Sequence, residues 1–172
     1  MNTVRLLVDD IERAATAWSD TFGAGPFVVT HHHRCDRFTF RGTSGPEAEA
    51  DVSYAFGYLD DMMIQFIVQH DDSPSIYRDM YPDGPPSGAG FHHVGLLVEN
   101  FEAEFDALER AGFECATRLY ADGVDAAYFD TRSVTGGFTE LHGSPTHILD
   151  AFAGWRRLHA DRTADTPAIA RR

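Results

Sequence analysis

The chain has 172 residues, a formal net charge of −13 and no lysine, so every basic side chain other than histidine is an arginine. This length suits one domain or two small fused halves. The missing lysine excludes Schiff-base lysine chemistry and a phosphate-loop lysine. The negative charge argues against a nucleic-acid partner and against an anionic membrane, because both are bound through basic side chains.

Targeting signals are missing from the sequence pattern. Its first residues do not combine a basic region with a long apolar run, and no window approaches the roughly 18 apolar residues of a membrane span. Cys35 and Cys115 lie far apart and form no CxxC motif. We therefore expect a cytoplasmic protein with two reduced thiols.

An internal repeat is the strongest sign of organisation. Residues 4–12 read VRLLVDDIE, and residues 94–102 read VGLLVENFE. Asp10 and Asn100 then stand at the N-cap position of a helix with an apolar stripe, and a glycine ends each helix. The repeat predicts that the chain consists of two related modules.

Strand-forming runs follow the helix in each half. After the first strand at 4–8 and its helix, the first half has β-prone runs at 27–30, 37–40, 52–58 and 62–69. After the first strand at 91–98 and its helix, the second half repeats the pattern more compactly at 114–120, 126–130 and 138–142. The joint between the halves is rich in Asp, Ser, Pro and Gly and predicts one short helix at 76–80. A last helix is expected after Ser144 and Pro145, followed by a frayed polar tail from Asp161.

These elements predict an α+β fold of two tandem βαβββ modules, whose curved mixed sheets enclose a shared cleft. We expect the first module at 1–70, a linker with its short helix at 71–90, and the second module at 91–144. The C-terminal helix and tail would occupy 145–172. All of these parts would form one structural domain.

Period-2 alternation predicts which side chains face the cleft. The apolar face of 62–69 turns to the helix, so Gln65 faces the cleft, and the same alternation turns Val94, Leu96 and Val98 to the helix side of 91–98. The side chains expected in the cleft are Thr3, Arg5, Gln65, His93, Glu140 and His142. An imidazole, a carboxylate and an amide oxygen suit a divalent metal of intermediate hardness, and a carboxylate beside histidine also suits proton transfer.

Four phrases carry a resemblance to a known family. They are FGAGPF at 22–27, IQFI at 64–67, HVGLLVEN at 93–100 and FTELH at 138–142. In this order they resemble the vicinal oxygen chelate superfamily, which includes glyoxalase I, bleomycin-resistance proteins, extradiol dioxygenases and methylmalonyl-CoA epimerases. The resemblance covers about residues 2–144 and is closest to the epimerase-like and glyoxalase-like members.

The resemblance implies one divalent metal ion, held by the first and last strands of each module. Gln65, His93 and Glu140 match three of the ligand positions, whereas the fourth falls on Thr3, which is a poor ligand. Thr3 also argues against extradiol dioxygenase activity. Three alternatives stay open. The three ligands could bind a metal with water in the open position; His31, His33, His92 or His142 could supply the missing ligand; or Arg5 could pair with Glu140 without a metal.

The resemblance further implies an isomerase, epimerase or lyase that transfers a proton beside the carbonyl of an acyl thioester or a 2-oxo compound. Glu140 or His142 would move the proton, and Thr3 and Arg5 would contact the substrate. We also expect a homodimer. The alternative function is a metal-free protein that binds or sequesters a small molecule, as bleomycin-resistance proteins do. An accessory domain is a third possibility.

Overall fold

The computed structural model describes residues 2–170, without the side chain of Asn2, and contains ten strands and five α-helices in that range. The strands are β1 (Asn2–Val8), β2 (Val28–His33), β3 (Arg37–Phe40), β4 (Thr43–Ser44), β5 (Val52–Leu59), β6 (Met62–Gln69), β7 (Ala89–Val98), β8 (Cys115–Ala121), β9 (Val124–Phe129) and β10 (Phe138–Gly143). The helices are α1 (Ile11–Phe22), α2 (Ile76–Met80), α3 (Phe101–Arg110), α4 (Arg132–Thr135) and α5 (Thr146–Ala160), with 3₁₀ turns at Pro46–Ala48 and Pro86–Gly88.

The helix caps of the repeat form as predicted. The Asp10 carboxylate accepts a hydrogen bond from the backbone N–H of Arg13 at 2.8 Å, and Gly23 ends α1 in the left-handed conformation. The Asn100 side chain accepts from the backbone N–H of Ala103 at 3.2 Å at the start of α3. Each module therefore enters its helix directly from its first strand.

The strands form one continuous sheet in the order β2-β5-β6-β1-β7-β10-β9-β8-β3-β4. The first strands of the two modules, β1 and β7, are antiparallel neighbours at its centre. Each of them also pairs in parallel with the last strand of its own module, β1 with β6 and β7 with β10. The α+β fold of two tandem modules is confirmed, while the exact module bounds stay a prediction.

One strand of the first half pairs with the second half. Strand β3 runs antiparallel to β8, with Arg37 opposite Tyr120 and Phe40 opposite Thr117, and β4 continues the sheet beyond it. The pattern of β3 and β4 gave no sign of this, because an edge strand pairs with whichever free edge the fold brings to it. The β3–β4 hairpin therefore ties the first module to the outer edge of the second.

Helices α1 and α3 cover one face of the sheet, and this agrees with most of the predicted faces. Ile64 and Phe66 pack in the cluster that includes Ile11 and Ala15 of α1. Phe129 and Leu141 pack in the cluster around Phe105 of α3. Leu96 is an exception, because its side chain is 48% exposed although it shares the predicted apolar face of β7.

The C-terminal segment packs on both faces of the first module. Phe152 of α5 lies on the cleft side with Tyr58 and Met63, and Ile148 and Trp155 pack around them. The expectation of a frayed tail from Asp161 is wrong as far as the structure describes it. Ile169 of the tail forms a parallel bridge with Phe27. The backbone N–H of Phe27 donates to the carbonyl oxygen of Ala168 at 2.7 Å, and the N–H of Ala170 donates to the carbonyl oxygen of Phe27 at 2.9 Å. Ala168 and Ile169 also pack in the cluster around α1. Residues 171 and 172 of the predicted tail lie outside the described residues.

Within residues 2–170, no helix is both long enough and apolar enough to cross a bilayer.

Candidate functional site

A cavity of about 320 Å³ lies between the two modules, on the face of the sheet opposite α1 and α3. Its walls are mostly apolar and aromatic: the rings of Phe56 and Trp155 stack with their centroids 4.8 Å apart, and Tyr54, Tyr128 and Phe152 complete the walls. This volume lies at the lower end of the range for small-molecule sites, whose walls are also largely apolar. We call this cavity the cleft.

The floor of the cleft is a buried ion pair between the modules. The Nη2 atom of Arg5 lies 2.8 Å from Oε2 of Glu140, and both side chains are only 3% exposed. Nη1 of Arg5 donates to Oε1 of Gln65, and the hydroxyl of Tyr128 donates to Oε1 of Glu140 at 2.8 Å. Arg5, Gln65 and Glu140 are thus brought together as the alternation predicted.

The strand register explains how these side chains meet. Arg5 stands opposite Gln65 of β6 and opposite His93 of β7, while Glu140 of β10 stands opposite Gly95 of β7. A Cβ atom on Gly95 would lie 2.5 Å from Nη2 of Arg5. The guanidinium therefore reaches Glu140 across β7 because residue 95 has no side chain.

The charges on the floor stabilise each other. Burial would raise the pKa of Glu140, but the Arg5 guanidinium holds that pKa well below its usual range. Burial and the nearby Glu140 raise the pKa of Tyr128 well above its usual value. At neutral pH Glu140 is a carboxylate and Tyr128 a phenol, so the floor has one positive and one negative charge. A carboxylate stabilised in this way is a weak base.

His93 is fully buried behind the floor and is held by its neighbour. The Nε2 atom of His92 is 3.1 Å from the carbonyl oxygen of Ile76, which can only accept, so His92 donates there. Burial lowers the pKa of His92 to about 3 and also lowers the pKa of His93, so both rings are neutral. Nδ1 of His93 must then donate to Nδ1 of His92 across 2.9 Å. This leaves Nε2 of His93 as an acceptor, 3.7 Å from Oε2 of Glu140 and without a hydrogen-bond partner.

Thr3 lies behind the floor and bonds to the neighbouring strand. Its hydroxyl donates to the carbonyl oxygen of Gly95 at 3.0 Å and accepts from the N–H of Gly95 at 3.2 Å. Thr3 is not among the residues that line the cleft. The substrate contact predicted for Thr3 therefore finds no support in this geometry.

His142 lines the cleft two residues after Glu140, on the same face of β10. Its Nδ1 atom lies 2.7 Å from the carbonyl oxygen of Gly143. Because a carbonyl oxygen can only accept, Nδ1 carries the hydrogen, and Nε2 of the neutral ring keeps its lone pair. His142 is therefore a cleft side chain that can accept a proton through Nε2.

The mouth of the cleft is bridged by His33. Its Nε2 atom lies 3.1 Å from the carboxylate of Asp122, in the β8–β9 turn, and its Nδ1 atom lies 3.2 Å from the hydroxyl of Tyr54. His31 and His32 are exposed, and His32 contacts Asp51 at 3.0 Å. Among the three consecutive histidines, only His33 lines the cleft.

The three predicted metal ligands do not fit a divalent ion while Arg5 lies among them. Oε1 of Gln65 and Oε2 of Glu140 both contact the guanidinium, and the third side chain, His93, is fully buried. In residues 2–170 no group of three or more His, Cys, Asp or Glu side chains is placed to hold a metal. A second cation would meet strong repulsion from the buried guanidinium.

Sequence reasoning missed two parts of the site. Tyr128 stands directly opposite Glu140 in the β9–β10 pair, so the cross-strand register would have placed its hydroxyl beside that carboxylate. The wall formed by Phe152 and Trp155 had no comparable signal. Their stripe predicts a packed helix, but only the tertiary fold decides which surface the helix covers.

A second, larger groove lies on the outer surface beside the start of α1. It has a volume of about 690 Å³, and its charged lining consists of the exposed side chains of Asp9, Asp10 and Glu12. Both His31 and His70 at its rim are exposed. None of the buried side-chain atoms that lack a hydrogen-bond partner in the described part of the chain belongs to this lining, whereas Arg5 and Glu140 in the cleft have such atoms.

Comparison with known proteins agrees with this architecture. Residues 3–129 match the family model described as the Glyoxalase/Bleomycin resistance protein/Dioxygenase superfamily. The structure is similar to that of methylmalonyl-CoA epimerase from Mycobacterium tuberculosis, with a TM-score of 0.57, 15% identity, and coverage of 87% of this chain and 90% of that one. A hypothetical protein from Bacillus halodurans C-125 gives a TM-score of 0.58 at 15% identity, covering 84% and 94%.

A ligand-bound structure is also similar. Streptomyces coelicolor methylmalonyl-CoA epimerase in complex with 2-nitronate-propionyl-CoA gives a TM-score of 0.55 at 16% identity, covering 85% of this chain and 97% of that one. A search of curated proteins found no match. At these identities the solved structures support the fold alone.

Proposed function

The chain belongs to the Glyoxalase/Bleomycin resistance protein/Dioxygenase superfamily, and on that premise we propose that it is a small-molecule enzyme of the glyoxalase or epimerase type. It would act as an isomerase or lyase that transfers a proton at the carbon beside a carbonyl. The observation that carries the proposal is the buried Arg5–Glu140 pair on the floor of an otherwise apolar cleft, with His142 two residues along the same strand face.

Arg5 would supply the positive charge for the reacting oxygen. A guanidinium has five N–H donors, and Nε of Arg5 has no hydrogen-bond partner. Donors that are fixed in a site of low dielectric stabilise an enolate oxygen far better than they would in water. Since β1 and its neighbours hold the guanidinium rigidly, little reorganisation is needed when the negative charge develops.

His142 would accept the proton through Nε2. Residues two apart on one strand face are separated by about 7 Å, a spacing that accommodates a carbonyl group and its neighbouring carbon between the floor and His142. Glu140, predicted to be catalytic, takes a different part in this proposal, because its low pKa makes it a poor base. Glu140 and Gln65 would be positioning residues that hold Arg5.

The cleft favours a small carbonyl compound over an acyl thioester of coenzyme A. The floor carries no net charge, and Arg5 is the only arginine among the residues that line the cleft in the described structure. A nucleotide handle with several phosphates would find no arginine around the mouth, where His33, Asp122 and His147 lie. We therefore propose a neutral or weakly charged 2-oxo compound with an apolar substituent that packs against the stacked Phe56 and Trp155 rings.

Proton exchange in deuterated water tests the proposal and does not require that the product be identified. A panel of aryl and alkyl 2-oxo compounds and short acyl thioesters is incubated with the protein, and loss of the proton signal beside the carbonyl is followed by NMR. Wild-type protein should exchange at least one 2-oxo compound. His142→Ala should lower kcat by about 100-fold or more, as expected for loss of a general base.

Two further variants make the test specific. Glu140→Gln should lower the rate through Arg5, with Glu140→Asp recovering part of it, whereas a residue with a purely structural part would give no such recovery. His31→Ala is the matched histidine control, because His31 is exposed and lies outside the cleft lining, and it should keep wild-type rates. Full activity in both His142→Ala and Glu140→Gln would refute the assignment.

A metal-free binding protein is the second candidate function. The stacked Phe56 and Trp155 rings and the mostly apolar walls favour it, because they could hold a flat ligand without any chemistry. Calorimetry on the same panel separates the two candidates. Tight binding with no exchange at saturating ligand would establish the binding protein, whereas turnover would exclude it.

A further inference from the structure

The two modules differ at two matched positions on their first strands. The repeat places Thr3 at the position of His93 and Arg5 at the position of Gly95. The first module therefore has a weak ligand where the second has an imidazole, and a long cation where the second has no side chain. These two differences lie two residues apart on the same face of β1.

The two differences fit each other in space. The guanidinium of Arg5 lies over Gly95, where a Cβ atom would be 2.5 Å from Nη2 and 2.7 Å from Nε. Thr3 binds both the N–H and the carbonyl oxygen of the same Gly95. A glycine at position 5 would leave this buried space empty in front of Gln65 and Glu140, which now hold the guanidinium.

We infer that Arg5 is the built-in cation of this site and keeps a divalent metal ion out of it. The guanidinium already pairs with two of the three remaining ligand side chains, Gln65 and Glu140. Its fixed charge would repel a second cation at a few ångströms in a site that water does not screen. The inference does not depend on the proposed reaction.

Giving β1 the residues that β7 has at the two matched positions tests the inference. In the double variant Thr3→His with Arg5→Gly, β1 has the same residues as β7 at both positions. Protein stripped with chelator is titrated with Co²⁺, and binding is followed by calorimetry and by the visible absorption of the bound ion. The double variant should bind one Co²⁺ per chain, at least about 100-fold more tightly than wild type.

Two controls separate Arg5 from the missing ligand and from surface histidines. Thr3→His alone keeps the guanidinium, and it should bind Co²⁺ no better than wild type. His93→Ala added to the double variant should abolish binding, which shows that the ion lies in the cleft and not at residues 31–33. Equal affinity in Thr3→His and in the double variant would overturn the inference.

The wild-type protein provides a test that does not require any variant to fold. Metal analysis after purification without chelator should find no stoichiometric divalent ion, and neither chelator nor Co²⁺ should shift Tm. A tightly held ion that His93→Ala removes would overturn the inference. A double variant that keeps its circular dichroism spectrum and still binds no Co²⁺ would also overturn it.

The single variant Arg5→Gly provides the test if the double variant does not fold. It keeps Thr3 and its bonds to Gly95, and it should bind Co²⁺ more tightly than wild type. No gain in affinity would contradict the inference.

Discussion

The two modules of this chain are built alike and differ most where they meet. Both have a first strand, a capped helix and a last strand parallel to the first. At the floor of the cleft, however, β1 contributes the charged Arg5, whereas β7 contributes buried His93 and the bare backbone of Gly95. A fold of repeated modules thus lets one half fill a space that the other half leaves open, which yields an asymmetric site from a symmetric scaffold.

The outer edges of the modules differ as well. The edge of the first module is β2, whereas the edge of the second is extended by the β3–β4 hairpin, which comes from the first half of the chain. At the mouth, His33 at the end of β2 meets Asp122 in the β8–β9 turn. The two halves are therefore joined at the centre of the sheet, at its edge and across the mouth of the cleft.

The largest effect is expected from removing the charge of the first module. Arg5→Met leaves the Glu140 carboxylate buried and unpaired, and an orphaned buried charge costs about 3–5 kcal/mol of unfolding free energy. Urea unfolding followed by circular dichroism measures the loss. The matched control is Arg5→Met combined with Glu140→Gln, which removes both charges but keeps an acceptor for Tyr128. If the double variant is as unstable as Arg5→Met, the pairing is not the source of the stability.

A smaller effect is expected from giving the second module a side chain at Gly95. The backbone of Gly95 lies outside the left-handed region, so alanine causes no backbone strain, but its Cβ would meet the buried guanidinium at 2.5 Å. Overpacking of this kind costs about 1–3 kcal/mol. The cost should largely vanish in an Arg5→Gly background, which a double-mutant cycle of urea unfolding measures. An equal cost in both backgrounds would mean that another neighbour opposes the alanine.

Acid sensitivity should distinguish the second module from the first, which has Asn2 and Thr3 at the positions matching His92 and His93. The folded-state pKa of His92, about 3, lies below its unfolded value, so the unfolded state binds more protons as pH falls below 6.5. Stability from this residue is therefore present above pH 6.5 and lost as pH falls. The expected loss from pH 7 to 5 is about 2 kcal/mol. His92→Gln should flatten this part of the profile, and an unchanged slope would contradict the assignment.

Local patterns predicted most of the fold for physical reasons. The caps at Asp10 and Asn100 satisfy the helix ends that follow them in sequence, and the alternation of β6 and β10 reflects burial on one face only. The exception on β7, Leu96, shows the limit of such reasoning. An apolar residue can face the helix side and still lie partly beyond the reach of any helix.

The sequence predicted which residues lie in the site, but not which hydrogen bonds and ion pairs they form. The alternation placed Arg5, Gln65 and Glu140 on the cleft side, and pairing of Arg5 with Glu140 was one of three open alternatives. The decisive fact was that Arg5 passes over Gly95, which depends on the register of β1 against β7. Non-local register, like the pairing of β3 with β8, is set by the whole fold and leaves no mark in a short stretch of sequence.

The smallest effect is expected at Thr3, where the two first strands exchange side-chain and backbone hydrogen bonds. Thr3→Val keeps the shape but removes the hydroxyl that both donates to and accepts from the Gly95 peptide, so it should cost about 1 kcal/mol. Thr3→Ser keeps the hydroxyl and should cost less, because only a methyl group is lost. Urea unfolding of the pair gives the difference. If Val is as stable as Ser, the hydroxyl does not hold β1 against β7, and the position of Arg5 over Gly95 is then maintained by the β1–β7 strand pairing together with Gln65 and Glu140.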